Sequence, residues 1–199
     1  MPFFKQYEGY KAERKLPPPT RTELLTKLGT IKSVKHKAFF TFLYLLGARI
    51  EEIVGLPAKE YQPVMKYQFE EKVSSEGKEM IVVRNVRTLK TKKGSDFRHI
   101  PISKETEKDF LAILLPYVQE VPNDKPLFNY SRTYSWQLAK HYFGQEWFPH
   151  WFRHTRATHL ASEYNFTTND LVQYFGWKDV NRTLTYVHLN WDNLAKKMG

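Results

Sequence analysis

The 199-residue chain contains no cysteine, which excludes disulfides, zinc sites built on thiolates and a thiol nucleophile. Any covalent chemistry must use another residue. Long hydrophobic runs are also missing: the densest, residues 38–46, stops after nine, against the ~20 apolar residues of a membrane span. Lys5, Glu8, Lys11, Glu13 and Arg14 interrupt anything apolar near the N-terminus, so no signal-peptide pattern is present and an intracellular protein is expected. Glycine-rich phosphate loops are absent, which leaves a nucleotide-driven motor or kinase without support. Acidic charge is scarce. With 21 Asp and Glu against 31 Lys and Arg, the formal charge is +10, and a polyanionic partner such as DNA, RNA or an anionic membrane surface is favoured.

What is present is enough apolar and aromatic surface, 41% and 16% of residues, to bury one sizeable core or a core with a small appendage. Residues 1–19, ending in Leu16-Pro17-Pro18-Pro19, are basic and proline-rich and read as an arm or linker ahead of one domain spanning 20–199. Thr20 and Glu23 have capping-box spacing before Leu24, Leu25 and Leu28, and Gly29 supplies a stop. Ser33 caps a second helix closed by Gly47, and a third covers about 50–54 before Gly55-Leu56-Pro57. The middle changes period. Tyr67 and Phe69, residues 80–83 and residues 97–102 are β-branched and aromatic, separated by Ser74-Ser75-Glu76-Gly77 and Lys92-Lys93-Gly94-Ser95, which predicts three antiparallel strands. Helices follow over about 103–115 with Ser103 as cap, 134–143, 149–164 opened by Pro149, 168–175, 181–188 and 192–197. The fold class is mainly α with a small three-stranded antiparallel sheet.

The segment His150-Trp151-Phe152-Arg153-His154, followed by Gly176-Trp177 and Tyr186, concentrates chemistry. On a helix, the spacing of three puts His150 and Arg153 on one face. A phosphodiester suits them, since its non-bridging oxygens accept from a planar guanidinium and its transition state gains from positive charge and proton donors already in place. Plainer explanations exist for each residue. Tyr186 taken alone is an ordinary packing tyrosine, Arg49 beside Glu51 and Glu52 makes a salt bridge at a helix boundary, and Trp177 is a core aromatic. His150, His154 and His159 invite a metal, but the helical zinc-protease pattern needs a glutamate where Trp151 stands, and no metal is expected. His154 and His159 are taken as packing or supporting residues.

Four ordered boxes resemble the tyrosine recombinase (phage integrase) family. Leu46-Gly47-Ala48-Arg49-Ile50-Glu51-Glu52-Ile53 is similar to its first arginine box, and Pro149-His150-Trp151-Phe152-Arg153-His154-Thr155-Arg156-Ala157-Thr158-His159-Leu160 to its His-x-x-Arg box. Phe175-Gly176-Trp177 and Thr183-Leu184-Thr185-Tyr186-Val187-His188 resemble its Gly-His/Trp and tyrosine boxes. The resemblance covers about residues 38–190 and implies that fold's catalytic domain. It implies that Tyr186 attacks a DNA phosphodiester to leave a 3′-phosphotyrosyl bond, without a cofactor. Arg49 and Arg153 then hold the non-bridging oxygens, His150 handles the tyrosine proton, and Trp177, in a place often filled by histidine, donates one hydrogen bond. A hairpin lysine protonates the leaving 5′-oxygen in this family: Lys93-Gly94-Ser95 matches the commonest spacing and is preferred, with Lys90 in Leu89-Lys90-Thr91-Lys92 close behind.

The activity so implied is site-specific recombination or integration of duplex DNA, as in a mobile element, by a homo-oligomer, dimer or tetramer, assembled on DNA in the cytoplasm or nucleoid. Members usually carry an N-terminal helical domain; here only the arm precedes Thr20, so a catalytic fragment or a naturally short enzyme with a reduced grip on DNA is expected. A type IB topoisomerase or telomere resolvase with the same chemistry, a non-catalytic DNA-binding protein of the same fold, and an RNA-binding module that stacks bases on exposed aromatics are the alternatives.

Overall fold

A computed structural model describes residues 18–56, 61–89, 97–177 and 181. The capping box forms as spelled out: the Thr20 hydroxyl accepts from the Glu23 N–H at 3.2 Å, the Glu23 carboxylate accepts from the Thr20 N–H at 2.7 Å, and α1 runs Arg21–Gly29. Ser33 caps α2, Val34–Leu46, which ends at Gly47 with φ 52°. Every residue from 38 to 46 is buried, so beyond its first turn α2 is enclosed on all sides and forms the axis of the core. α4 (Lys108–Glu120) and α6 (Pro149–Ser162) pack against it. In sequence α3 (Ile50–Val54) and the sheet come between α2 and α4, α5 (Arg132–Phe143) comes between α4 and α6, and α7 (Thr168–Phe175) follows α6.

The sheet is antiparallel in the order β1 (Phe69–Val73), β2 (Glu79–Arg87), β3 (Phe97–Ser103), with Val83 opposite both Phe69 and Ile100. Ile81, Val83, Ile100 and Ile102 form its buried face, and Phe42 of α2 stacks on Phe69 with centroids 5.6 Å apart. A register shift between Val83 and Val86, with Asn85 at φ 51°, lets Val86 point inward three residues after Val83. That bulge re-aims the end of β2 toward α3 and α7.

The fold class agrees with expectation, and several boundaries differ: β2 is longer than the expected 80–83, α5 starts two residues earlier and α6 ends two residues sooner. Ser103 ends β3 instead of capping a helix, its hydroxyl accepting from the Thr106 N–H, and Glu107 takes the cap position of α4. α4 also passes through Pro116 to Glu120; residues 112 and 116 are exposed, so the carbonyl that the proline leaves without a donor faces solvent. Tyr67 belongs to a 3-10 turn, Lys66–Gln68, ahead of the first strand. The helices expected over 181–188 and 192–197 lie outside the described residues, Asn181 apart. Among the described residues, no helix is long and apolar enough to cross a membrane.

A buried polar lock joins α1 to α6. The Glu107 carboxylate receives Arg156 from α6 and Arg21 from α1 at 3.0 Å, and accepts the Tyr164 hydroxyl at 2.8 Å. Burial alone would raise the Glu107 carboxyl, but Arg156 and then Arg21 outweigh it and hold it below the ordinary range. Removing one partner of such a lock leaves an uncompensated buried charge, a loss of about 3–5 kcal/mol. His159 closes the same region: Nε2 donates to the Pro19 carbonyl at 2.8 Å, which leaves Nδ1 to accept the Tyr44 hydroxyl at 2.8 Å.

Candidate functional site

Arg49 is placed by the end of one helix and the start of the next. α2 terminates at Gly47, and two residues on Arg49 caps α3 in an extended conformation, with Glu52 at the third helical position. The Glu52 carboxylate turns back to accept the Arg49 backbone N–H at 3.0 Å and its Nη1 at 3.0 Å. Nη1 also reaches the Leu89 carbonyl at 3.2 Å, while the Leu89 N–H donates to Glu52 at 3.1 Å. The salt bridge anticipated at this helix boundary is real, and it fixes both the backbone and the side chain of Arg49.

Arg153 comes to the same carboxylate from α6. Its Nη1 donates to the Gly47 carbonyl at 2.6 Å and Nη2 to the Phe175 carbonyl at 2.7 Å, with Nη1 3.8 Å from Glu52 Oε2. Both carbonyls end helices, α2 and α7, where the peptide dipoles present negative charge to a cation. Arg153 is 1% exposed. Glycine at 47 is required twice over, because φ is positive and a Cβ there would stand 2.2 Å from the Phe175 ring. Gly176 has the same character at the end of α7, where a Cβ would meet Thr88 at 2.3 Å.

Glu52 is the hub. It is 1% exposed and faces Arg49, Arg98 and Arg153. Burial would raise its pKa, but Arg98 first, then Arg153 and Arg49, overcome that and bring it down to about 2. The carboxylate is therefore ionised throughout the physiological range.

Pro149 opens α6 and sets His150 in its first turn, on the side of Arg153. His150 and Arg49 both line a cleft of about 470 Å³, whose other walls include Trp136, Tyr61 and the ion pair of Arg132 with Glu51 at 3.3 Å. Trp136 stacks on Phe148 at 5.6 Å. Trp177 follows the left-handed Gly176 and stacks on Phe175 at 4.7 Å, 5.7 Å from the Arg153 guanidinium carbon. Thus Arg49 and His150 share the cleft, Arg153 stands behind Arg49 across Glu52, and Trp177 joins through Phe175. Tyr186, Lys90 and Lys93 lie outside the described residues. His154 is half-buried with its ring edge-on to His150 at 4.6 Å, and His159 is a buried hydrogen-bonding residue. Among the described residues, no three His, Asp or Glu side chains gather as metal ligands would.

Arg98 was not anticipated. On β3 the residues at 98, 100 and 102 face inward and those at 97, 99 and 101 outward, so a charge at 98 breaks the alternation. That break was the available signal.

The family model of the phage integrase family matches residues 20–192. No curated protein matches the chain. Among solved structures, the XerH site-specific recombinase bound to difH substrate, a pre-cleavage complex, is similar at TM-score 0.57 and 17% identity, covering 91% of this chain and 53% of that one. The Tn1549 transposon integrase (aa 82-397) in complex with circular intermediate DNA is similar at TM-score 0.59 and 21% identity, with 94% and 65% covered. XerA recombinase is similar at 0.56 and 21%, with 92% and 63% covered. The chain thus spans between about half and two thirds of the length of these structures.

Proposed function

Because the chain belongs to the phage integrase family, we propose that it is a site-specific DNA recombinase that cleaves and rejoins duplex DNA through a 3′-phosphotyrosyl intermediate. The observation that carries the reading is the convergence of Arg49 and Arg153, 104 positions apart, on one buried carboxylate beside a cleft that His150 also lines. Guanidiniums are the donors that non-bridging phosphate oxygens accept from most readily.

In the proposed reaction the Tyr186 phenol oxygen bonds to phosphorus, its proton passing toward His150, and the bond from phosphorus to the 5′-oxygen breaks. Lys93, or Lys90 in its place, gives the leaving oxygen its proton. Arg49 and Arg153 take up the charge that grows on the non-bridging oxygens, and Trp177 adds one hydrogen bond. The phosphotyrosyl bond conserves the energy of the broken linkage, so a 5′-hydroxyl from another strand can reverse the step without a nucleotide cofactor. The +10 charge suits duplex DNA as substrate, and relatives of the same fold are described with DNA bound. Residues 20–199 form the catalytic domain in this reading and 1–19 an arm, with a dimer or tetramer assembling on DNA.

The test is incubation with nicked suicide duplexes carrying candidate attachment sequences, then a search for a covalent adduct. The wild-type chain should form one and Tyr186→Phe should not, while duplex binding survives. An adduct of normal yield in the variant, or one mapped to Tyr164 or Tyr174, refutes the assignment.

A further inference from the structure

Arg98 occupies an inward register of β3 in line with Ile100 and Ile102, where an apolar side chain would pack without cost. It is 8% exposed, and its Nε is buried without a hydrogen-bond partner. A buried cation with an unmet donor subtracts from stability, so holding the sheet together does not account for it. Its contacts are specific: Nη2 donates to Glu52 Oε2 at 2.9 Å, and Nη1 to the Thr88 hydroxyl at 3.1 Å and the Arg87 carbonyl at 3.4 Å.

Each Glu52 oxygen thereby serves two donors. Oε1 takes Arg49 Nη1 and the Leu89 N–H; Oε2 takes the Arg49 N–H and Arg98 Nη2. Arg49 bonds both oxygens from the helix start that carries it, so it cannot fix the carboxylate against the rest of the fold. Donors from the end of β2 and from β3 do so, one on each oxygen, and the Arg49 guanidinium inherits that orientation. Arg98 is the donor that reaches Glu52 from the opposite leg of the β2–β3 hairpin, so it ties Leu89 and β3 to the helix start that carries Arg49.

We propose that Arg98 is a positioning residue for strand cleavage, acting through Glu52 to aim Arg49 at the phosphate. The inference rests on the functional reading above and adds a residue to it. A purely structural arginine would affect folding and rate together and independently of Glu52; a positioning residue affects the rate at saturating DNA, and only while Glu52 is there to transmit its hold.

The experiment is a double-mutant cycle of Arg98→Gln and Glu52→Gln, read as single-turnover cleavage at saturating suicide duplex, with duplex affinity and Tm measured alongside. Arg98→Gln should slow maximal cleavage by at least about tenfold with affinity within about twofold, and Arg98→Lys should recover part of the loss. The double variant should be slower than the worse single by no more than about threefold, because both act on one element. If a Gln variant fails to fold, Arg98→Lys and Glu52→Asp carry the same cycle. Wild-type cleavage by Arg98→Gln, or losses that multiply in the double variant, overturn the inference and leave the functional reading standing. Failure of the wild-type chain to form any adduct sinks the functional reading and this inference with it.

Discussion

Gly47→Ala places a single methyl group where the fold and the candidate site meet. Residue 47 has φ 52°, a left-handed conformation that costs an L-residue roughly 1–2 kcal/mol. The new Cβ would lie 2.2 Å from Phe175 Cε1 and 3.1 Å from Cδ1 and Cζ. Phe175 is fully buried and stacked on Trp177, so its ring cannot step aside without disturbing neighbours, and such overpacking costs about 1–3 kcal/mol. The sum, about 2–5 kcal/mol, is a large fraction of the ~5–15 kcal/mol that holds a domain together. With a urea slope of about 2 kcal/mol/M, the unfolding midpoint should fall by roughly 1–2.5 M. Gly29→Ala is the matched control: nothing lies within 4 Å of its Cβ and its φ is not positive, so the midpoint should hold or rise slightly. Cleavage by the Gly47 variant under conditions where it stays folded should fall as well, because the Gly47 carbonyl that holds Arg153 moves with the strained residue. Equal midpoints for the two alanine variants would refute the reasoning.

Arg49→Ala or Arg153→Ala should each reduce cleavage by two or more orders of magnitude, about 3 kcal/mol of lost transition-state stabilisation, and near-normal single-turnover rates in both would dismiss the site. Lys93→Ala should block cleavage of ordinary DNA yet cleave a 5′-bridging phosphorothiolate, whose sulfur leaves unprotonated; the same pattern for Lys90→Ala instead would move the role to Lys90. Burial pushes the His159 imidazole down to about 4 from 6.5, the Pro19 carbonyl opposing and Arg156 and Arg21 reinforcing. The unfolded chain therefore takes the proton first, and stability should fall as pH drops from about 6.5 to about 4, by about 3 kcal/mol in all. His159→Gln should flatten Tm over that window, and an unchanged slope would show that another group titrates.

The elements legible in the sequence were those whose signals are local. Thr20 with Glu23, Ser33, Gly47 and Pro149 each mark a helix end through a bond or a backbone angle made within a few residues, and all four ends stand where expected. Ser103 misled because a serine before an apolar run caps helices and closes turns with the same hydroxyl, and here the strand runs up to it. Arg49, His150, Arg153 and Trp177 were legible as a set only through the resemblance, since no spacing links residue 49 to residue 153. The hub was not. Glu52 had the look of a helix-boundary partner for Arg49, which it is, but its other arginines arrive from β3 and α6, and contacts of such sequence separation leave no periodicity to read.

The charge balance around that hub explains why a buried cluster can belong to a site that binds anions. Three guanidiniums, Arg49, Arg98 and Arg153, face one carboxylate, so within these four side chains three positive charges minus one negative leave an excess of two. Burying like charges together is unfavourable by itself. A carboxylate held ionised at about 2 lowers that penalty, and carbonyls at the ends of α2 and α7 lower it further at Arg153. These partners assemble the cations without neutralising them. In the proposed reaction a phosphate entering beside Arg49 would meet positive charge whose reorganisation was completed on folding, and the further negative charge that develops as phosphorus is attacked would be met by dipoles already in place. Replacing Glu52 with a neutral residue would raise the formal charge and yet weaken the site, because the arginines would repel one another out of register. The carboxylate contributes order, and order is what the proposed reaction requires of these arginines.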